Sequence, residues 1–411
     1  MKILCLLLVY SFQSDTSQIS TSDLLRTAFH DTEVKYQESQ IEYLNNNPLT
    51  TPLIDEVQFR TETRDFDLER QQYALRVSPN SIGQKKYSKA YYQNMLSEFD
   101  TRWDEALNKA LKDRYLLLID LIKTRRYLGA QQQQQLVLED RITVLRKNAN
   151  AVGFDYQDLI DAENEFQKSR LDMIDLEEDE ARYQQQAMDL LGSSTPLTIN
   201  ASGLIDVEFI NGFLETLPHS ADSSNLNISR NQNNLRQAEL EYLEERAQSK
   251  NILDFVQAEY RNDEKEGAIE DFRIGVGINL PVTKSSQSKL NRLSLERLEQ
   301  ENDLQTYKLD LQRELDISRS KLEVLIKKYE TVNTFIKSSD TENSLQKYLS
   351  IEGISPLTLL GVQESILDNE LRLYSLEKDI FQEYINLLDK MGLLVQRPLV
   401  DYFTKNRVSF E

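Results

Sequence analysis

Residues 272–281 read FRIGVGINLP, and apolar residues alternate along this stretch with polar or small ones. Phe272, Ile274 and Val276 fall on one face, because successive side chains of a β-strand point to opposite faces of the sheet. Pro281 ends the stretch, since proline cannot donate a hydrogen bond to a strand ladder. The pattern predicts a strand over about 271–280 with one apolar face and one polar face.

Three more runs alternate in the same way, over Ile54–Thr63, Gln71–Ser78 and Leu253–Arg261. Each pair of runs flanks a charged turn, so two β-hairpins are predicted. Strands that face lipid on one side and water on the other alternate in this way over about 9–11 residues, and these runs are at the short end of that length. An amphipathic hairpin packed on soluble helices predicts the same alternation, and the residues alone favour neither. The candidate strand residues for a membrane barrel are Phe59, Tyr73, Leu75, Phe272, Ile274 and Val276.

The chain repeats itself at an offset of 200 residues. Gly153 and Gly353 each follow a long helical pattern, and each is followed 39 residues later by a second glycine, Gly192 or Gly392. A repeat of this size indicates a duplicated structural unit rather than a short solenoid module. The predicted order in each half is a first helix, the strand pair, a very long helix, the glycine turn and a return helix of about 37 residues.

The first helices are predicted over about Ser22–Leu44 and about Asn231–Ala247. The long helices cover about 67 residues, or roughly 100 Å at the α-helical rise. Their apolar residues recur at a seven-residue spacing, which indicates left-handed supercoiling against neighbouring helices. In the second half the two apolar seams are Leu304, Leu311, Leu325 and Val332, and Leu315, Leu322, Tyr329 and Ile336.

Composition excludes several classes of function. The formal net charge is −20, which disfavours a nucleic-acid binder, because such proteins need a basic face. The chain has one cysteine, Cys5, and two histidines, His30 and His219, so it lacks the ligands of a zinc site and a catalytic triad is disfavoured. We therefore expect no enzyme activity, no cofactor and no metal.

The N-terminus has one lysine, about eight apolar residues and then polar ones. This pattern predicts a secretory signal peptide over about 1–14, and the alternative is a buried N-terminal strand. Cys5 lies too early for a convincing lipoprotein cysteine. The remaining segments are predicted as a first repeat over 15–192, a linker over 193–230, a second repeat over 231–392 and a tail over 393–411 without usable periodicity.

The doubled order of elements after a signal segment resembles the TolC-like outer membrane efflux proteins. Residues 272–281 resemble the family's strand before the second long helix. Residues 353–360 and 363–392 resemble its tip turn and return helix, and 152–162 are the counterpart in the first repeat. The resemblance covers nearly the whole chain after about Ser20.

The resemblance implies a mainly α-helical fold with a small β part. Long coiled-coil helices of three identical chains would form a trimeric α-helical barrel in the periplasm, and their hairpins a 12-stranded transmembrane β-barrel in outer-membrane lipid. The protein would be a passive exit duct for a tripartite efflux or type I secretion system. Its partners would be a periplasmic adaptor protein and an inner-membrane transporter, and the candidate adaptor contacts are the tip turns at Val152, Gly153, Gly353 and Ile354.

The sequence departs from this family at the tip. Family members often carry two carboxylates just past the second tip turn, where this chain has Thr358 and Gly361. The first repeat offers Asp158 and Asp161 instead, three residues apart and so on one helix face. Three chains would bring six carboxylates near one constriction and attract cations. The alternative is that both are ordinary solvated acids at a helix start.

Two other functions share parts of the pattern. A periplasmic coiled-coil scaffold without membrane insertion explains the heptads but has no need for two matched hairpins. A periplasmic adaptor subunit uses one helical hairpin with small β domains, and the duplication counts against it.

Overall fold

The computed structural model describes residues 17–48, 52–63, 71–80, 82–150, 154–200, 203–218, 225–261, 272–278, 285–338 and 355–410. The predicted signal peptide, both hairpin turns and the tip-turn residues Val152, Gly153, Gly353 and Ile354 lie outside these residues. The chain divides into two compact units. The first comprises Met1–Lys35, Ala106–Ser224 and Leu311–Glu411, and the second Tyr36–Glu105 and Asn225–Asp310.

The fold is mainly helical with a small β part, as the sequence predicts. The helices are α1 (Thr21–Arg26), a 3-10 turn (Thr27–His30), α2 (Thr32–Asn46), α3 (Ile82–Asn148), α4 (Tyr156–Leu191), α5 (Val207–Thr216), α6 (Leu226–Ser249), α7 (Ser285–Ser338) and α8 (Pro356–Met391). The strands are β1 (Ser17–Ile19), β2 (Ile54–Thr63), β3 (Gln71–Pro79), β4 (Leu197–Ile199), β5 (Leu253–Arg261) and β6 (Phe272–Ile278).

The second unit contains a four-stranded sheet of order β2-β3-β5-β6, antiparallel throughout. The first strand of each hairpin carries a register shift at the same place, between Ile54 and Glu56 in β2 and between Leu253 and Phe255 in β5. Such bulges bend a strand and increase its twist, and they are common at the rims of barrels. The duplication therefore extends to the irregularities of the strands.

Most residues of the heptad seams are buried, as a coiled-coil pattern requires. Leu311, Leu315 and Leu322 of α7 are each at most 5% exposed. Ser318 interrupts the first seam in the sequence, yet it is also buried, and its hydroxyl accepts a hydrogen bond from the Lys390 ammonium at 3.0 Å. The interruption is thus a polar contact between α7 and the end of α8.

Both return helices end as the glycine spacing predicts. Gly192 follows α4 and Gly392 follows α8, with φ angles of 64° and 72°. These left-handed conformations suit glycine, and they let the next backbone N–H groups satisfy the last helical carbonyls. The two α-helices have equal lengths of 36 residues.

The C-terminal tail is part of the core of the first unit, although it has no periodicity. Phe403 is 1% exposed and stacks on Tyr115 of α3, with ring centroids 5.5 Å apart. The Tyr115 hydroxyl accepts a hydrogen bond from the Tyr402 N–H at 3.0 Å and donates one to the Val400 carbonyl at 3.3 Å. The tail is therefore held by contacts with residues almost 300 positions earlier in the chain.

The predicted single helix over Ser22–Leu44 is wrong, because the chain turns between α1 and α2. Asp31 is extended, with φ −61° and ψ 139°, and its carboxylate accepts the Glu33 N–H at 3.2 Å. The same carboxylate pairs with the buried Arg114 guanidinium at 2.9 Å. An aspartate that caps a new helix therefore interrupts the apolar periodicity.

Asp401 joins the tail to α1, and we expect it to make stability depend on pH. Its buried carboxylate accepts hydrogen bonds from the hydroxyls of Thr21 and Ser22 and from the Phe403 N–H. Burial raises the pKa of this carboxyl, against the opposing effect of the hydrogen bonds. A raised folded-state pKa means that the stabilisation is fully present below the unfolded pKa and is lost as pH rises through the folded pKa.

Asp401→Asn keeps the shape of the side chain and removes the charge, so its denaturation midpoint should depend less on pH than that of the wild type between acidic and neutral pH. Asp401→Leu leaves buried donors unpaired, at about 1–3 kcal/mol for each. Lys405→Ala, which removes an exposed ion pair to Asp206, is the control with a small effect. Midpoints measured by circular dichroism at several pH values check this. Equal pH dependence of wild type and Asp401→Asn would contradict it.

Candidate functional site

The register of the four-stranded sheet collects its apolar side chains on one face. A row of four valines crosses all four strands at one level. The next rows toward the hairpin turns continue the same face. The rows are Val57, Val77, Val256 and Val276, then Phe59, Leu75, Ala258 and Ile274, then Thr61, Tyr73, Tyr260 and Phe272.

This apolar sheet face, defined by those three rows, is open to solvent in the single chain. Phe59 is 64% exposed, Phe272 63% and Ile274 81%. Contiguous exposed apolar surface of this kind marks contact with a membrane or another protein. A hairpin packed on soluble helices would bury these side chains, and the structure does not do so.

Aromatic side chains concentrate toward the hairpin-turn end of the apolar sheet face. Tyr260 and Phe272 lie across from each other, with ring centroids 5.2 Å apart, and Phe59 stacks on Tyr73 at 6.2 Å. Amphipathic aromatic rings are enriched where a membrane meets water. The valine row lies farther from the turns, so the face changes from aliphatic to aromatic along the strands.

Apart from the small side chain of Ala74, the opposite face of the sheet is polar with one exception. Gln58, Arg60 and Gln257 lie on it. The exception is Phe255, whose ring lies over Gly277 of the neighbouring strand, where an added Cβ would come within 2.2 Å of it. The Arg76 guanidinium covers the ring at 3.5 Å and pairs with Asp254 at 3.2 Å. The glycine is thus needed for close approach of the ring, and the arginine keeps this surface polar.

The two outer strands of the sheet have one unpaired edge each among the described strands. They are β2, with ten residues, and β6, with seven. Their free N–H and C=O groups can pair with another strand, and long apolar edges are usually covered or paired in native proteins. Among the described residues, the sheet thus has two open edges that a further strand can pair with.

At the start of α4, the structure places both candidate tip acids on exposed surface. Asp155 is the N-cap, and its carboxylate accepts the Gln157 N–H at 2.8 Å. Asp158 lies in the first turn, where a negative charge favours the helix dipole. Asp161 accepts a hydrogen bond from the Gln157 side chain at 2.8 Å. Both acids thus have a local role, and a common constriction stays a prediction.

Apolar packing and charge pairing fix the helices beside these acids. Ile142 and Leu145 of α3 pack against Ala162 of α4, with Phe154, Leu159, Phe166 and Leu357 around them. Arg141 of α3 forms salt bridges to Glu165 of α4 at 3.2 Å and to Glu364 of α8 at 3.0 Å. Burial raises the pKa of the Glu364 carboxyl, and Arg141 opposes this.

A ladder of polar contacts joins α3 to α8 within the first unit, and sequence reasoning did not find it. Its centre is Glu377, which accepts from the buried Lys123 ammonium and from the Tyr329 hydroxyl at 3.3 Å. Burial lowers the pKa of Lys123, against the opposing effect of Glu377. Burial and the Glu377 charge raise the pKa of Tyr329 to about 12. Other rungs are Lys112 with Asp389, Lys378 with Asp120 and Gln134 with Asp368.

The ladder fixes the register of α3 against α8, and only its general form has a signal in the sequence. Its cations are mainly on α3 and its acids mainly on α8. An excess of positive charge on one long helix and of negative charge on another predicts such pairing in general. It does not predict that Lys123 is buried while the neighbouring Arg125 and Arg126 are half-exposed.

Over the residues that the structure describes, no helix combines the length and the apolar character needed to cross a bilayer. In the same residues, no three or more His, Cys, Asp or Glu side chains are grouped so that they could hold a metal ion.

No protein-family model and no curated protein sequence matches the chain. Solved structures match it over nearly its full length. The open state of the Neisseria gonorrhoeae MtrE outer membrane channel is 13% identical, with a TM-score of 0.65 over 92% of this chain and 90% of that one. The Campylobacter jejuni CmeC outer membrane channel is 11% identical, with a TM-score of 0.59 over 90% and 84%. The outer membrane protein VceC from Vibrio cholerae is 12% identical, with a TM-score of 0.59 over 90% and 96%.

At these identities the likeness concerns the fold, and it extends over about nine-tenths of the chain. The chain therefore has the fold of the TolC-like outer membrane channels, as its sequence resemblance implied.

Proposed function

We propose that this protein is an outer-membrane channel that projects into the periplasm. It serves as the exit duct of a tripartite efflux or type I secretion system and conducts substrates passively across the periplasm and the outer membrane. A periplasmic adaptor and an inner-membrane transporter are its partners, and it catalyses no reaction. The two repeats, 15–192 and 231–392, each supply one hairpin to the barrel and one long helical pair to the tunnel.

The observation that carries this proposal is the apolar sheet face. Strands in a bilayer need apolar side chains toward lipid, and every backbone polar group must be paired. The rows from Val57 to Phe272 meet the first requirement across all four strands. A coiled-coil scaffold without membrane insertion, the alternative function, has no use for an exposed face of this kind.

The second requirement supports a homotrimer. Three copies of a four-stranded sheet give 12 strands, and closing them into a barrel pairs the open edges of β2 and β6. The helices also carry exposed apolar residues that a neighbouring chain can cover. They include Ile160, Leu171 and Ile174 of α4 and Ile317, Val324 and Phe335 of α7.

Cell fractionation followed by light scattering tests the proposal. Cells expressing the full chain should retain it in the outer-membrane fraction, and the detergent-extracted particle should have the mass of about three chains. A monomer or dimer that stays in solution without detergent would overturn the barrel and favour the scaffold.

A pair of substitutions at adjacent positions of β5 tests which face meets lipid. Val256→Lys puts a charge into the valine row, and a lysine facing lipid near the bilayer midplane costs about 2–4 kcal/mol. We expect much less of this variant in the outer membrane and a lower urea midpoint of the extracted particle.

The matched control is Gln257→Lys, which adds the same charge one residue farther on the polar face. It should insert like the wild type, because that face is in contact with water. If both variants are lost from the outer membrane to the same extent, or if both insert like the wild type, the assignment of the faces is wrong.

The tip acids generate a prediction about conductance. If Asp158 and Asp161 line a constriction in a trimer, then Asp158→Asn with Asp161→Asn removes six negative charges from it. Reversal potentials in planar bilayers under a salt gradient should then show weaker preference for cations over anions. The control, Asp175→Asn with Glu178→Gln, removes the same number of negative charges from exposed positions farther along α4. Equal reversal potentials for all three proteins would leave the two acids as solvated residues at a helix start.

A further inference from the structure

The two longest stretches of this acidic chain without Asp or Glu lie at corresponding places in its two halves. They are residues 71–97 and 272–295, in a protein with 68 acidic residues among 411. Each consists of the second strand of a hairpin and the first turns of the long helix that follows it. Each carries four basic residues, which are Arg76, Lys85, Lys86 and Lys89 in the first and Arg273, Lys284, Lys289 and Arg292 in the second.

The helix itself does not favour lysines at this place. The N-terminus of a helix carries a partial positive charge, so acidic residues are stabilising there and basic ones are not. Lys85 lies in the first turn of α3, which contains no acidic residue, and Lys86 and Lys89 follow in the next turn. A functional role for the charges has to come from outside the helix.

No described residue neutralises these lysines. Lys85, Lys86 and Lys89 are exposed, and no described carboxylate lies within salt-bridge distance of them. In the second repeat, by contrast, the Lys289 ammonium pairs with Glu245 at 2.5 Å and the Arg292 guanidinium with Glu296 at 3.8 Å. The first repeat therefore leaves three lysines without a described acidic partner, whereas the second repeat pairs two of its basic residues within the chain.

The helix faces also separate the lysines from the contacts that α3 makes with α6. The Ser88 hydroxyl donates to Glu244 of α6 at 3.0 Å, and the Tyr91 hydroxyl accepts from Gln237 of the same helix at 3.4 Å. At 100° per residue, Lys85, Lys86 and Lys89 lie within one arc of about 100° on the side away from α6. They form one patch, which we call the α3 lysine cluster.

The distance of the α3 lysine cluster from the sheet is similar to the depth of the headgroup layer of a bilayer. Strand β3 ends at Pro79, and α3 begins at Ile82. At the helical rise, Lys89 lies about 10 Å along α3 from its first residue. Headgroup layers are about 5–8 Å thick on each side of the hydrocarbon, and lysine side chains extend several ångströms toward phosphates.

We propose that the α3 lysine cluster, Lys85, Lys86 and Lys89, binds the phosphate groups of anionic phospholipids in the periplasmic leaflet of the outer membrane. The inference rests on the proposed membrane insertion of the sheet and adds a lipid preference to it. A lysine near an anionic membrane surface strengthens binding about fivefold, from the ~1 kcal/mol that each such charge contributes. The cluster thus anchors the start of α3 at the membrane surface.

Native mass spectrometry of the full-length particle tests this. The protein, extracted in detergent, is mixed with equimolar phosphatidylglycerol and phosphatidylcholine of the same acyl chains, and the ratio of the two retained lipids is measured. We expect the wild type to enrich phosphatidylglycerol. The variant Lys85→Gln, Lys86→Gln, Lys89→Gln should lose about fivefold or more of that enrichment.

The matched control is Lys327→Gln, Lys328→Gln, Lys337→Gln, which removes three exposed lysines from α7 in the other unit. It should keep the wild-type ratio. Glutamine and lysine have similar helix propensities, and removal of charge from a helix start favours the dipole. The melting temperature of the cluster variant in lipid-free detergent should therefore be unchanged or higher, which separates lost lipid binding from lost folding.

Three results would overturn the inference. The first is equal retention of both lipids by wild-type particles. The second is enrichment of phosphatidylglycerol by the cluster variant as strong as that by the wild type. The third is release of the lipid by inorganic phosphate but not by chloride at equal ionic strength, which would assign the cluster to free phosphate. A chain that retains neither lipid and needs no detergent contradicts the proposed channel itself, so the two failures are distinguishable.

Discussion

The main physical constraint in this structure is an apolar sheet face that the described residues of the chain leave uncovered. The apolar sheet face is exposed along three rows of side chains, and β2 and β6 each leave an edge unpaired. Lipid can cover the face and identical strands can pair the edges, but water can do neither without cost. The bulges at the start of β2 and β5 bend these strands and increase the twist of the sheet, and the glycine under Phe255 lets the ring lie close to the backbone.

The strands and the helix ends could be predicted because their signals are local. Ile54–Thr63 and Leu253–Arg261 have the bounds that their alternation indicates, since a period of two over nine or ten residues fits few other structures. Gly192 and Gly392 end their helices for the same kind of reason, as a left-handed residue is needed there. The first helix failed at Asp31, where one capping carboxylate outweighs apolar periodicity on both sides.

The tail and the helix ladder could not be predicted, because their contacts join residues far apart in the sequence. Tyr402 and Val400 are fixed by Tyr115, and Glu377 by Lys123, 254 residues away. Gln131 shows the same limit within one run of five glutamines. It is 4% exposed and donates to Ser169, while the adjacent Gln132 is exposed. The sequence around Gln131 and Gln132 is almost the same, and only the packing of α4 on α3 distinguishes the two residues.

The two repeats have kept their backbone and diverged in their charges. Strand bulges, the lengths of the return helices and glycine caps match between the halves. The acids that follow the tip turn are present only in the first half, where Asp158 and Asp161 stand in the positions of Thr358 and Gly361. Basic residues follow the second strand in both halves. In the second half Lys289 pairs with Glu245, whereas Lys85, Lys86 and Lys89 of the first half have no described acidic partner. Two halves with the same backbone geometry can carry different charges where each half contacts different surroundings.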